Sequence, residues 1–204
     1  MSELARILEE AKTLGLVGPE AVERHIRHGR ALAGRVEPPG AFLDLGSGAG
    51  VPGLVLALMW PAASGTLLEA SARRSAFCAR AIDRLDLGDR IVVVRDRAEV
   101  AGRDAELRER FDLVVARSFA RPAVTAECAS PFLRRGGHLL VSEPPEATSV
   151  PTRWPVEPLA ALGLGPAQPA TGEGVSSVVM AKVGPTPQSV PRRMGIPAKR
   201  PRWS

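Results

Sequence analysis

Five short apolar runs alternate with helical stretches through the middle of the chain. The runs lack the polar alternation of a strand with one wet face, so each predicts a strand buried on both faces. The runs lie at 41–45, 65–69, 91–95, 111–116 and 137–142, and the helical stretches at 53–60, 71–87, 98–108 and 122–134. Such a pattern is typical of a mostly parallel sheet with right-handed crossovers, and it predicts a doubly wound α/β fold.

Further elements are predicted on both sides of this alternation. Residues 2–14 and 19–33 carry apolar side chains at helical spacing. The run at 175–183 predicts one more strand, closing the edge of the sheet. We expect three segments along the chain: an N-terminal helical segment at 1–38, a central domain at 39–184, and a basic, Pro-rich tail at 185–204.

Composition favours a soluble cytoplasmic protein. The 204 residues suffice for one domain with a sizeable core, and 45% of them are hydrophobic. Cys78 and Cys128 lie far apart, which argues against a zinc site or a disulfide scaffold. The first 18 residues have no continuous apolar core, which argues against a signal peptide or a membrane span. We expect a monomer that binds neither metal nor membrane.

Positive charge is concentrated at the C-terminal end. Residues 175–204 contain no acid, but six Lys and Arg residues. Such a tail is a candidate phosphate-contacting arm, since neutralised phosphates release their counterions. A disordered solubilising tail has the same composition, and the sequence leaves both interpretations open.

A glycine-rich loop directly after the first predicted strand is the strongest chemical signal. Glycines let the backbone turn sharply and approach a ligand without a Cβ atom in the way. The next helix begins at about Pro52, so we expect its free N–H groups to face the same cleft. Ligands in open α/β sheets bind beyond the carboxyl ends of the strands. The predicted cofactor-binding residues here are Asp44, Gly46, Ser47, Gly48, Gly50, Pro52 and Gly53.

Glu69, at the end of the second predicted strand, indicates that the cofactor contains a ribose. A carboxylate at this place can accept hydrogen bonds from both ribose hydroxyls. The segment 48–53 also matches the G-x-G-x-x-G fingerprint of nicotinamide dinucleotide binding. Against that alternative, the glycine run begins earlier, at Gly46, and follows Asp44. A hydride-transfer enzyme would also need a substrate domain, for which the chain has no room.

Several motifs resemble one family of methyltransferases. FLDLGSGAGVPGL at 42–54 resembles motif I of class I S-adenosylmethionine-dependent methyltransferases. Its G-x-G-x-G-x-P-G-L pattern is similar to the RsmG (GidB) family, which methylates N7 of a guanine in small-subunit ribosomal RNA. Four more segments agree with that family: LLEASARRSAFC at 67–78, Arg97-Ala98-Glu99, VARSFA at 115–120 and PRRMGIPAKRP at 191–201.

The resemblance implies a seven-stranded, Rossmann-like fold, S-adenosylmethionine as cofactor and ribosomal RNA or the small ribosomal subunit as partner. The loop glycines would border the methionine and ribose parts of the cofactor, with Glu69 at the ribose. Ala98 and Glu99 would lie beside the adenine. Arg117 would be the catalytic residue, at the mouth where substrate meets cofactor. The implied cofactor residues outside the loop are Glu69, Ala70, Arg97, Ala98, Glu99 and Arg117.

The implied reaction needs little acid–base machinery. Guanine N7 has a free lone pair, so catalysis can depend on holding it in line with the methyl group. The chain has no obvious base constellation: His25, His28 and His138 attach to no motif, and His138 is predicted to be structural. We expect Arg117 to donate to guanine O6 or to a nearby phosphate.

Three departures from the family pattern leave other substrates open. The family's N-terminal W-N-x-x-x-N-L-T segment has no counterpart here, and segment 25–30 replaces its H-x-x-D-S-L element without the Asp-Ser. Glu143-Pro144 replaces a Lys-Gly pair and reverses a charge that would face RNA phosphates. The alternatives are a methyltransferase acting on a small molecule or protein, and a non-catalytic module that binds S-adenosylmethionine or RNA.

Overall fold

A seven-stranded sheet forms the centre of the protein. The computed structural model describes residues 1–144 and 149–204. The strands lie in the order β3-β2-β1-β4-β5-β7-β6; β7 runs antiparallel to β5 and β6, and the other neighbouring pairs are parallel. Their bounds are β1 Ala41–Leu45, β2 Ser64–Leu68, β3 Ile91–Val94, β4 Phe111–Ala116, β5 Leu133–Glu143, β6 Gln168–Gly172 and β7 Val175–Ala181. The predicted α/β fold class is confirmed.

Helices cover both faces of the sheet, and a hydrophobic core fills each side. In β1, the fully buried Phe42 belongs to one core and the fully buried Leu43 to the other, as expected for a central parallel strand. The helices are α1 Glu3–Thr13, α2 Val22–Ala33, α3 Gly53–Met59, α4 Ala72–Arg84, α5 Ala98–Ala101, α6 Pro122–Ala129, α7 Val150–Arg153, α8 Val156–Ala160 and α9 Ile196–Lys199.

Three predicted elements differ from the structure. The strand predicted at 175–183 does not close the edge: β7 lies between β5 and β6, and β6 is the edge strand. The helix predicted at 98–108 ends at Ala101, where Gly102 serves as its C-cap. The helix predicted at 122–134 ends at Ala129, followed by a 3₁₀ turn at Ser130–Phe132 and then by β5.

The two N-terminal helices pack on the face that carries α3 and α4. A Cβ on Gly29 of α2 would lie 2.8 Å from Cβ of Val55 in α3, so glycine is what permits the close approach of these helices. Arg84 of α4 pairs with Glu3 at 2.6 Å and with Glu10 at 2.7 Å, which fastens α1. Helix α2 is thereby held close to the carboxyl ends of the central strands. Within the described residues, no helix is long and apolar enough to cross a membrane.

Candidate functional site

The loop after β1 turns through left-handed backbone conformations at its glycines. Gly46, Gly48 and Gly50 have φ angles of 72°, 58° and 88°. The loop is fastened to Glu69, which follows β2: the Gly48 N–H donates to Glu69 Oε2 at 2.9 Å. The Ser71 N–H donates to Glu69 Oε1 at 2.8 Å. Glu69 is 7% exposed. One carboxylate therefore fixes both the glycine loop and the turn that begins α4.

Asp44 lies behind the loop. Its Oδ2 atom accepts a hydrogen bond from the Gly53 N–H at 2.8 Å, and the Leu54 N–H donates to the Gly50 carbonyl at 2.8 Å. The expectation that the first N–H groups of this helix face the cleft is therefore wrong for these two residues. Burial raises the pKa of Asp44 to about 7, against the opposing hydrogen bonds from Gly53 and Ser47. Its Oδ1 atom has no hydrogen-bond partner within the described part of the chain.

A first cavity of about 320 Å³ opens beyond Glu69, and its lining combines apolar and charged side chains, with the apolar surface somewhat larger. It is bordered by the ends of β2 and β3, by α6 and by the C-terminal segment. Among the residues that line it are Glu69, Ala98, Glu99, Val124, Cys128 and Ala198. Of the predicted residues, this cavity brings together Gly46, Glu69, Ala70, Arg97, Ala98 and Glu99.

Glu99 is held as a carboxylate at the wall of the first cavity. Its Oε1 atom accepts from the Gly195 N–H at 3.0 Å and lies 3.3 Å from the Arg97 guanidinium. Burial raises its pKa, but hydrogen bonds from the Gly195 and Glu99 N–H groups and from Arg97 outweigh burial. The pKa is therefore lowered from its ordinary value. A fixed negative charge at this position lies in a lining that also carries Glu69, Asp96, Arg74 and Arg97 beside its apolar residues.

A second cavity of about 330 Å³ lies on the other side of the glycine loop, and its lining has more polar than apolar surface. Gly46, Arg74 and Ser118 border both cavities, so the two form one bent groove around the loop. The residues that line the second cavity include Glu20, His25, Ser47, Gly48, Arg74 and Arg117. Four predicted residues line neither cavity: Asp44, Gly50, Pro52 and Gly53.

A larger open cleft of about 670 Å³ adjoins the second cavity. Arg117, Ser118 and Glu20 line both of them, so Arg117 stands at the boundary. Arginines outnumber acids in the lining of the cleft. The charged and polar residues there include Arg24, Arg27, His28, Arg117, Glu143 and Arg153.

Two histidines of α2 contribute to these walls, and sequence reasoning missed both. The Arg117 guanidinium lies 2.8 Å from His25 Nδ1, and His28 Nε2 lies 2.9 Å from Ser142 Oγ in the cleft. Burial and the nearby charge of Arg117 lower the pKa of both histidines, that of His28 to about 4. The sequence gives little sign that these histidines belong to the site, because the residues that they contact, Arg117 and Ser142, lie far along the chain.

Glu143 does not present a bare negative charge to the cleft. Its Oε2 atom accepts from Arg153 Nε at 2.5 Å, and its Oε1 atom accepts from Trp154 Nε1 at 3.0 Å. The residue is 8% exposed. The expected reversal of charge at the mouth is therefore wrong, because Arg153 neutralises the carboxylate. No group of His, Cys, Asp and Glu residues in ranges 1–144 and 149–204 is arranged to hold a metal ion.

Solved structures share this fold. The structure of an O-methyltransferase from Bacillus cereus in complex with SAH matches with a TM-score of 0.64, at 19% identity, over 90% of this chain and 91% of that one. The structure of PigF with SAH matches with a TM-score of 0.63, at 16% identity, over 86% of this chain and 58% of that one. The strand order and the glycine loop define a class I S-adenosylmethionine-dependent methyltransferase.

Sequence relatives narrow the class to a family. Residues 4–144 match the GidB family, described as rRNA small subunit methyltransferase G. Ribosomal RNA small subunit methyltransferase G of Roseiflexus castenholzii is 38% identical over 190 residues, which cover 89% of this chain and 80% of the relative. The protein of the same name from Symbiobacterium thermophilum is 38% identical over 85% of this chain and 74% of the relative. The chain belongs to the GidB family.

Proposed function

We propose that this protein transfers a methyl group from S-adenosylmethionine to N7 of a guanine in 16S-type ribosomal RNA. Membership of the GidB family supports the RNA substrate class. The observation that carries the proposal is the position of Arg117, which lines both the second cavity and the open cleft. A residue at that boundary can contact the acceptor base while the methyl donor lies on its other side.

The residues of the groove fit this cofactor. Each Glu69 oxygen accepts one backbone hydrogen bond, and a carboxylate oxygen can accept a second, so both ribose hydroxyls can be bound. A Cβ on Gly48 would meet no protein atom within 4 Å, so the space beside its Cα is open to a ligand. Arg74 and Arg117 in the second cavity suit the methionine carboxylate, and the apolar side chains of the first cavity suit the faces of adenine.

Bound S-adenosylmethionine supplies a methyl group already activated on a sulfonium. The protein then has to hold guanine N7 in line with that methyl, exclude water, and satisfy the polar edge of the base. Positioning of this kind supplies about 7–11 kcal/mol of the barrier. Arg117 donates to guanine O6 or to a nearby phosphate, as arginine commonly does. No proton has to be removed from N7, so neutral His25 holds Arg117 and abstracts nothing.

The charges of the open cleft support an RNA acceptor. Arg24 and Arg27 are exposed on α2 and line the cleft beside Arg117. Arginine at the rim of a cleft attracts phosphates and gives salt-dependent affinity. Arg153 neutralises Glu143, so this carboxylate does not repel RNA phosphates at the cleft, contrary to what the sequence had suggested.

The test is an acceptor comparison with purified protein and labelled S-adenosylmethionine. Small ribosomal subunits lacking N7 methylation are compared with large subunits, a ribosome-free protein extract and a small-metabolite fraction. Incorporation into small subunits alone is the predicted result. Incorporation into the protein or metabolite fraction would favour the alternative of a methyltransferase that acts on a protein or a small molecule. Binding of S-adenosylhomocysteine without transfer to any fraction would favour a non-catalytic module.

A further inference from the structure

The C-terminal residues 190–203, here called the strap, are anchored by one buried carboxylate. Glu127 of α6 is fully buried. Its Oε1 atom accepts from the Arg192 backbone N–H at 2.9 Å and from Arg192 Nε at 2.8 Å, and its Oε2 atom accepts from Arg192 Nη2 at 2.7 Å. Arg202 Nε reaches the same Oε2 atom at 3.1 Å. A buried carboxylate needs such partners, so the two arginines hold both ends of the strap against α6.

A second set of contacts fixes the start of the strap. Arg108 Nη1 donates to the Val190 carbonyl at 2.8 Å, and Arg103 donates to the Pro191 carbonyl. The Val190 side chain is 1% exposed and belongs to the same core as α6. The strap is therefore packed against the domain by apolar burial as well as by charge.

Between its anchors the strap meets the first cavity. The Gly195 N–H donates to Glu99 Oε1 at 3.0 Å, and Ala198 of α9 lines the cavity together with Glu99. Cys128, which follows the anchor Glu127 in α6, lines the same cavity. The anchor Glu127 and the lining residue Cys128 are thus neighbours in one helix, and Ala198 brings the strap into the cavity lining.

We propose that the strap is part of the cofactor site: it closes the adenine end of the groove and sets the affinity for the nucleoside. The second cavity has more polar than apolar surface and suits the amino-acid part of the cofactor, whereas the first cavity has more apolar than polar surface and takes the purine. With Glu69 at the ribose between them, a purine in the first cavity lies against Ala198. Glu127 and Arg192 are positioning residues, because their ion pair holds the strap in place and neither residue lines the first cavity.

The strap also reaches the open cleft. Trp203 Nε1 donates to the Arg153 carbonyl at 2.9 Å, and Arg153 pairs with Glu143 at the cleft wall. The basic C-terminal segment is therefore packed against the domain, and two of its arginines, Arg192 and Arg202, are hydrogen-bonded to Glu127.

Ala198→Trp tests the proposal directly, with Lys199→Trp as the matched control. Lys199 is the next residue of α9; it is exposed and does not line the first cavity. Titration calorimetry with S-adenosylhomocysteine measures the affinity, and thermal unfolding without ligand measures stability. The predicted result is at least a tenfold rise in Kd for Ala198→Trp, less than a twofold change for Lys199→Trp, and unchanged unfolding temperatures. Wild-type affinity in Ala198→Trp would overturn the proposal.

A second pair of variants tests the anchor. Arg192→Ala should raise the Kd for S-adenosylhomocysteine at least fivefold while Arg193→Ala, an exposed neighbour, leaves it unchanged. An Arg192→Ala protein that remains folded and binds the ligand as the wild type does would contradict the positioning role. These titrations contain no RNA, so they test the strap independently of the methyl acceptor.

Discussion

The Arg117 guanidinium donates to His25 Nδ1 at 2.8 Å, although 92 residues separate the two in sequence. Arginine has only donors, so Nδ1 must be the acceptor and His25 must carry its proton on Nε2. That nitrogen lies 3.4 Å from the Gly18 carbonyl, which can accept the proton. The contact therefore fixes both the tautomer of His25 and the direction of Arg117 at the mouth of the groove.

Replacement of Arg117 by alanine should lower methyl transfer more than cofactor binding. Loss of a hydrogen bond from a charged group costs about 1.5–3 kcal/mol, which corresponds to about a 10- to 100-fold fall in kcat. Single-turnover transfer and S-adenosylhomocysteine titration measure the two effects separately. Arg121→Ala is the control, since Arg121 is exposed and does not line the cleft. Wild-type turnover in Arg117→Ala would show that Arg117 does not contribute to methyl transfer.

Because methyl transfer depends on the His25–Arg117 contact, its rate should fall at acid pH. Burial, and then the charge of Arg117, lower the pKa of His25 below its ordinary value of 6.5. The neutral acceptor therefore persists at neutral pH, and protonation breaks the contact only as the pH falls below that value. In His25→Asn the amide oxygen can accept from Arg117 without titrating, whereas His25→Ala has no acceptor.

The measurement is the rate of transfer from pH 8 to pH 5 in the three proteins. The ratio of His25→Asn to wild type should rise as the pH falls, while His25→Ala stays low throughout. A ratio that does not change with pH would mean that His25 does not control Arg117.

Gly48→Ala and Gly15→Ala form a matched pair that separates ligand contact from backbone strain. Both glycines have left-handed φ angles, 58° and 66°, and a Cβ on either would meet nothing within 4 Å. Each substitution should lower the free energy of unfolding by about 1 kcal/mol, the cost of that conformation. Only Gly48→Ala should weaken S-adenosylhomocysteine binding, by at least tenfold. Equal binding by the two variants would exclude a close approach of the cofactor at Gly48.

The salt dependence of RNA binding should distinguish the exposed cations of the strap from those that are paired with Glu127. Arg193, Lys199 and Arg200 are exposed, whereas Glu127 binds Arg192 and Arg202. If the exposed three contact RNA phosphates, their joint replacement by Gln lowers the slope of log K against log salt by about 2, since each contact in single-stranded RNA contributes about 0.7.

The control for the salt experiment is Arg135→Gln. Arg135 is exposed near the start of β5, at the opposite end of that strand from the cleft residue Glu143. It should leave the slope unchanged. An unchanged slope in the triple variant would show that RNA is bound elsewhere on the protein.

The sequence signals for the glycine loop and for Glu69 are local, which is why the sequence alone predicts a cofactor site there. The glycine run follows an apolar strand directly, and Glu69 ends the next strand. The fold was predictable for the same reason, since buried parallel strands read as continuous apolar runs. Strand β6 was missed because it is mostly exposed and carries Gln, Pro and Gly, so its pairing with β7 rather than its composition places it.

The remaining contacts of the site join residues far apart in the chain. His25 meets Arg117, and Glu127 meets Arg192, only because the folded chain brings α2 to the end of β4 and the strap to α6. A helical histidine or a buried glutamate carries no sequence signal for a partner on another element. The same holds for Glu143: nothing in the sequence indicates that Arg153 pairs with it, and the ion pair is seen only in the folded chain.

The most direct test of the central claim identifies the methylated nucleoside. Small ribosomal subunits lacking N7 methylation are incubated with the protein and labelled S-adenosylmethionine, and the RNA is digested to nucleosides and mapped. The account predicts label only in 7-methylguanosine, at a single position of the small-subunit RNA. Label in another nucleoside, or no label while S-adenosylhomocysteine still binds, would contradict it.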